Sequence, residues 1–180
     1  MKLGAPLVRG IVGPLFVGHG AQKLFGLFGG SGLEGTTATM EKLELRPARR
    51  HALLAGLAET SGGALLTLGA LTPLATALLT STMVTAIRKV HAPNGVWNTG
   101  GGWEYNAVLI GAVTALADTG PGRPALMKGP HGPGWAIASL TAGVAGSYLA
   151  TSPALNDPPL APEPVPSGNG EVRRPEPALA

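Results

Sequence analysis

The chain alternates long apolar runs with polar segments rich in glycine and proline. The apolar runs cover residues 6–28, 52–71, 72–90 and 103–119. Because a helix of about 20 apolar residues crosses a bilayer, each run predicts a membrane helix. Thr72 and Pro73 suit a helix start, since threonine caps helices and proline is tolerated at the first helical position. The second and third predicted helices therefore form a tight antiparallel hairpin.

The segments around these runs complete the predicted architecture. Residues 135–151 are weakly apolar and of helical length, with Trp135 and Tyr148 as interfacial anchors, and they predict a fifth helix. Residues 29–50 predict a loop with a short surface helix that begins at Thr39. The predicted fold is an all-α membrane protein, a four-helix transmembrane bundle with a fifth C-terminal helix. Its predicted parts are residues 1–128 for the bundle, 129–151 for the fifth helix and 152–180 for a disordered proline-rich tail.

Ionisable residues interrupt the apolar runs, mostly toward one end of the predicted bundle. We call the end that holds residues 29–50 side A, and the opposite end side B. An ionisable group in hydrocarbon usually faces the bundle interior and carries a role. The candidate site residues that converge on side A are His19, Lys23, Glu59, Arg88, His91 and Glu104.

Glu59 is the most informative of the six candidates. It lies about 10 Å below the surface, so its short side chain does not reach water, and it is predicted to be protonated or paired with Lys23 or Arg88. Simpler interpretations stay open. The two cations can extend to the membrane surface, the Glu59 pair can be purely structural, and His91 and Glu104 can cap loops.

The amino-acid composition limits the class of protein and the kinds of cofactor site that the chain can form. Charged residues make up 13% of the chain, against about 25% in soluble domains. The chain has no cysteine, which excludes disulfides, thiolate metal ligands and iron–sulfur ligation by this chain. Its four histidines lie in four different segments, so no metal site is predicted. The sequence does not interleave aromatic and basic residues, so it does not indicate nucleic-acid binding.

Basic residues in the connecting segments predict the orientation. Side A carries eight lysines and arginines if the fifth helix crosses, and side B carries three. Because cytoplasmic loops hold the excess of positive charge, side A is predicted to face the cytoplasm of a multi-pass plasma-membrane protein in the lipid bilayer. Arg9, near side B, is interpreted as an interfacial anchor.

Together these residues resemble the DoxX family of small bacterial and archaeal membrane proteins. The resemblance covers about residues 5–125, and it rests on Arg9, His91 and three segments: FVGHGAQKLF at 16–25, GLAETSGG at 56–63 and GGWEY at 101–105. It implies a four-helix membrane bundle linked to electron transfer. One family member is the small subunit of a thiosulfate:quinone oxidoreductase, and others are associated with a superoxide dismutase and a sulfurtransferase. The chain departs from the family pattern after Gly122.

The leading hypothesis is an integral-membrane subunit of an oxidoreductase-linked system that acts near quinone or on a small sulfur anion. Quinone is the cofactor this hypothesis favours, and soluble redox or sulfur-transfer enzymes are the expected partners. Two alternatives stay open, a non-catalytic membrane scaffold for soluble redox partners and a small proton-linked transporter. Assembly into a homo-oligomer is also open, and no catalytic activity is assigned to the chain by itself.

Overall fold

The computed structural model describes residues 3–156, and within them every regular element is helical. The six α-helices are α1 (Gly4–Phe25), α2 (Gly32–Lys42), α3 (Ala48–Leu68), α4 (Thr72–Ala86), α5 (Glu104–Thr119) and α6 (Pro133–Ala150). The all-α prediction is therefore confirmed, including a fifth long helix near the C-terminus. Most of the predicted disordered tail, from residue 157 onward, lies outside the described residues. The division of the chain at residue 128 stays a prediction.

The long helices α1, α3, α4, α5 and α6 correspond to the five runs predicted to cross a membrane. In the part of the chain that the structure describes, no helix combines the length and the apolar character that crossing a membrane requires. The transmembrane part of the predicted fold is therefore not confirmed.

Glycines bring α1 and α3 into close contact. A methyl group on Gly63 would lie 2.7 Å from the carbonyl oxygen of Gly13. Likewise, a methyl group on Gly20 would lie 2.7 Å from the carbonyl oxygen of Gly56. Distances this short leave no room for a side chain, so the two backbones pack directly against each other. Side chains one turn beyond these glycines are therefore within reach of the opposite helix.

α4 occupies the middle of the bundle and packs against α3, α5 and α6. Its buried face carries three threonines, Thr72, Thr76 and Thr80. The Thr76 hydroxyl donates a hydrogen bond to the Val113 carbonyl of α5 at 2.8 Å. Small, polar side chains thus fill much of the contact between these helices, as is typical of helices that pack with close backbones.

Two segments differ from their predicted form. The surface helix in the 29–50 segment begins at Gly32, not at Thr39, and runs to Lys42. Glu34 in its first turn favours an earlier start, because a negative charge is stabilised at a helix N-terminus. The helix predicted to run to residue 90 changes at Ile87–His91 into a π-helical turn. Such turns are rare and occur frequently at functional sites.

Arg9 lies inside the bundle at side B. Only 5% of its surface is exposed, and its guanidinium donates hydrogen bonds to the carbonyl oxygens of Pro121 and Pro124. The interpretation of Arg9 as an interfacial anchor is therefore wrong. The loop after α5 turns back over α1 and offers carbonyl acceptors, which an arginine with five N–H donors satisfies.

Candidate functional site

An ion pair joins α1 to α3 near side A. Lys23 Nζ donates to Glu59 Oε2 at 2.6 Å, and this is the one ion pair within residues 3–156. Glu59 is buried, with a side-chain exposure of 6%, whereas the Lys23 side chain is 30% exposed. The prediction that Glu59 pairs with a cation is confirmed, and the cation is Lys23. The close contact of Gly20 with Gly56 makes the pair possible, since each charged residue lies three positions after one of these glycines.

α2 holds the end of α1 in place beside the pair. The buried Thr36 hydroxyl donates to the Lys23 carbonyl at 3.1 Å. Gln22 Oε1 accepts a hydrogen bond from His19 Nδ1 at 3.0 Å, and Gln22 Nε2 donates to the Phe28 carbonyl at 3.1 Å. The last turn of α1 is thereby fixed to the segment that follows it, and the Lys23 side chain is directed toward α3.

A cavity of about 520 Å³ opens beside the ion pair, between the side A ends of the helices. Most of its wall is apolar, from side chains such as Phe16, Leu54 and Leu109. The charged and histidine residues in the wall are His19, Lys23, His51, Glu59, Lys89 and His91. Cavities of this size, apolar with a few polar groups, are the usual form of small-molecule sites.

Four of the six predicted site residues line this cavity, namely His19, Lys23, Glu59 and His91. His19 is exposed, so it lies toward the opening. His91 Nδ1 lies 2.8 Å from the Gly101 carbonyl oxygen. The imidazole therefore holds the loop before α5 as well as lining the cavity, and the prediction that it can cap a loop is confirmed.

Arg88 and Glu104 do not line the cavity. Arg88 turns toward α6, where it donates to Thr151 Oγ1 at 3.0 Å and to Ser147 Oγ at 3.3 Å. Its guanidinium also lies 3.7 Å above the centre of the Tyr148 ring, a cation–π contact. The prediction of Arg88 as a partner for Glu59 is therefore wrong, because α6 supplies its partners instead.

Glu104 is hydrogen-bonded to the loop that precedes α5. Its Oε1 accepts a hydrogen bond from the Asn98 backbone N–H at 3.0 Å. The loop-cap interpretation of Glu104 is confirmed.

Among the charged and histidine residues that line the cavity, two were not sequence candidates, His51 and Lys89. His51 is 6% exposed, and its Nε2 has no hydrogen-bond partner among the described residues. A sequence signal existed for His51, because positions 51, 55 and 59 repeat every four residues and therefore share the face of α3 that carries Glu59. The sequence held no comparable indication that Lys89 lines the cavity, because Lys89 lies in the π-helical turn at Ile87–His91.

The family comparison covers the helices that carry the ion pair. The DoxX family model matches residues 4–92, from the start of α1 through the π-helical turn after α4. Lys23, Glu59 and His91 lie within the match, and Glu104 lies beyond it. Comparison with curated proteins and with solved structures gave no match. Members of the DoxX family are typically membrane-associated, and over residues 4–92 this chain belongs to the DoxX family.

Proposed function

We propose that the protein is a membrane-embedded component of an oxidoreductase-linked system in the plasma membrane, and that its cavity binds a quinone. The observation that carries the proposal is the Lys23–Glu59 ion pair, which lies in the wall of a mostly apolar cavity of about 520 Å³. A quinone combines an apolar ring with carbonyl oxygens. The cavity offers matching surfaces, an apolar wall for the ring and an ammonium group that donates hydrogen bonds to a carbonyl.

The outer surface of the bundle supports its place in a membrane. Leu7, Ile11 and Leu15 follow each other at four-residue intervals along α1 and are 49–60% exposed. Val108 on α5 and Ile137 on α6 are each 66% exposed. At the same time charged and polar side chains are buried inside. Many exposed apolar side chains on the outside of a bundle favour an interaction with a membrane or another protein, and the family is typically membrane-associated.

The charge balance at the ion pair favours a quinone over a small sulfur anion at this position. Glu59 already neutralises Lys23 at 2.6 Å, so no net positive charge remains there for an anion. A quinone carbonyl is neutral and needs only a hydrogen-bond donor, and the three protons of the Lys23 ammonium group supply one besides the bond to Glu59. Proton carriers are also present, since Glu59 and His19 both line the cavity.

The electrons would come from another protein. Reduction of a quinone to a quinol takes two electrons and two protons, and this chain has no cysteine to hold an iron–sulfur cluster or form a redox disulfide. A soluble redox or sulfur-transfer enzyme that docks on side A is the partner this assignment requires. The role of the bundle is then to bind the quinone and to supply its protons.

Isothermal titration of the purified full-length protein with decylubiquinone tests the proposal. The wild type is expected to bind, and the double variant Lys23→Met/Glu59→Met is expected to bind at least about tenfold more weakly, because a charged hydrogen bond contributes about 1.5–3 kcal/mol. Removing both charges together keeps the protein folded, since an apolar pair replaces a buried ion pair without leaving a lone charge.

Lys42→Met is the matched control, because Lys42 lies exposed at the end of α2. It should leave the affinity unchanged. A wild-type protein without measurable affinity, or a double variant that binds as tightly as wild type, would overturn the assignment. Wild-type protein that binds no quinone but captures a soluble oxidoreductase would instead favour the non-catalytic scaffold.

A further inference from the structure

The cavity has a second polar edge, formed where α4 and α6 meet. Thr85, Lys89 and Thr151 line the cavity on this edge. Behind Thr151 stands Arg88, whose Nη1 donates to the Thr151 hydroxyl at 3.0 Å. Thr85, Lys89 and Thr151 lie near the ends of α4 and α6, whereas the Lys23–Glu59 pair joins α1 to α3.

Lys89 on this edge and Arg88 behind it have no acidic partner. Among the described residues, neither Lys89 nor Arg88 lies within 4 Å of a carboxylate, since the one ion pair there is Lys23 with Glu59. Both side chains are half-buried, so water screens them less than it screens a surface charge. Two neighbouring half-buried cations without an anion repel each other and attract a negatively charged ligand.

A buried histidine contributes an independent observation. His51 lines the same cavity and is 6% exposed, yet its Nε2 has no hydrogen-bond partner in the described part of the chain. The Arg46 backbone and the Asn156 side chain both lie within hydrogen-bonding reach of its imidazole, and Asn156 also donates to the Ala150 carbonyl at 3.2 Å next to Thr151. A buried polar atom without a partner costs free energy, and a ligand that bonds to it would remove that cost.

We propose that this edge is a binding site for an oxyanion of the phosphate type. Lys89 supplies the direct charge, and His51 Nε2 donates when the imidazole carries its proton there. The hydroxyl protons of Thr85 and Thr151 already donate to the Ser81 and Ser147 carbonyls, so these two side chains shape the edge and supply no further donor. Arg88 holds Thr151 by a hydrogen bond and does not contact the anion. The same chemistry fits inorganic phosphate and the phosphodiester headgroup of an anionic lipid whose tails lie along the apolar wall.

Binding of two probes to the purified full-length protein tests the site and separates the two sources. One arm titrates inorganic phosphate at constant ionic strength. The other titrates dihexanoyl-phosphatidylglycerol, with the zwitterionic dihexanoyl-phosphatidylcholine as its reference. Binding in the lipid arm alone assigns a headgroup site, and binding of phosphate as well assigns a general oxyanion site.

Lys89→Gln is expected to lower the affinity for the bound probe about tenfold or more, because it removes a charged hydrogen bond. His51→Leu removes the unpartnered nitrogen and is expected to lower the affinity several-fold. Lys42→Gln, at an exposed position, is the control that should leave the affinity unchanged. The two variants act on different helices, so a folding defect in one does not remove the test. No affinity for either probe, or an affinity that Lys89→Gln and His51→Leu both leave unchanged, would overturn the proposal. The site does not depend on quinone binding, so a negative quinone titration leaves this test intact.

Discussion

Glu59 keeps its place in the interior because Lys23 supplies the opposite charge at 2.6 Å. Moving a carboxylate out of water costs several kcal/mol, and the attraction of a close partner offsets that cost only when the geometry is good. The stability of the bundle should therefore depend more on keeping the two charges matched than on the presence of either one.

Removal of one charge tests this dependence. Lys23→Met should lower the free energy of unfolding by about 3 kcal/mol, the low end for a broken buried pair, because the Lys23 side chain is 30% exposed. The double variant Lys23→Met/Glu59→Met should lose much less. Denaturant titrations in detergent, followed by circular dichroism, measure both. Equal losses in the single and double variants would show that the pair does not stabilise the fold.

The sequence allowed the pairing of Glu59 to be predicted from its depth in an apolar run. It did not decide between Lys23 and Arg88, because depth along a helix says nothing about direction around it. Arg88 turns away since α6 offers two hydroxyls and the Tyr148 ring. His51 was also missed, although its spacing from Glu59 marks a shared helix face.

The contact of α1 with α3 determines whether the pair can form. Both helices place glycines at the contact, and a methyl group at Gly20 would lie 2.7 Å from the Gly56 carbonyl oxygen. A side chain there would push the helices apart and withdraw Lys23 from Glu59.

Gly20→Ala should therefore destabilise the protein by about 1–3 kcal/mol, the usual cost of overpacking. Gly18→Ala is the matched control on the same helix, because nothing lies within 4 Å of its added methyl group. That control should be neutral or up to about 1 kcal/mol more stable, since alanine favours a helix over glycine. Thermal melts of the two variants give the comparison. A Gly20→Ala variant as stable as the control would contradict the close packing.

At the level of elements, the apolar runs and the Thr72–Pro73 start predicted the long helices within a few residues. The runs did not predict the π-helical turn at Ile87–His91. No local pattern in the sequence predicts that turn, which carries Lys89, a residue of the cavity wall, and Arg88, which turns toward α6. The start of α2 was misplaced because its glycines and threonines resemble a loop.

On the scale of the whole molecule, several polar side chains are buried and many large apolar side chains are exposed. Prediction from sequence placed the helices in a membrane, and no helix among the described residues has the length and apolar character to cross one. Arg9 and Glu59 are buried in the assembled bundle, whereas large apolar side chains such as Ile11 and Val108 are exposed on it.

The proposed orientation places side A in the cytoplasm, and the absence of cysteine makes it testable. Ser31 and Thr119 are exposed at opposite ends of the bundle. In intact cells, a membrane-impermeant maleimide should label Thr119→Cys, and it should label Ser31→Cys only after permeabilisation. The reverse pattern would invert the orientation, and labelling of both positions in intact cells would contradict embedding.

We propose that the quinone binds in the cavity beside the Lys23–Glu59 pair. Photo-crosslinking of the full-length protein with an azido-quinone, followed by mass spectrometry, tests that location directly. The label is expected to fall on cavity residues such as Leu54, Met83 or Tyr105, and the Lys23→Met/Glu59→Met variant is expected to lose it. Label confined to outward-facing residues such as Ile11 or Val108, with the same yield in the variant, would contradict the claim.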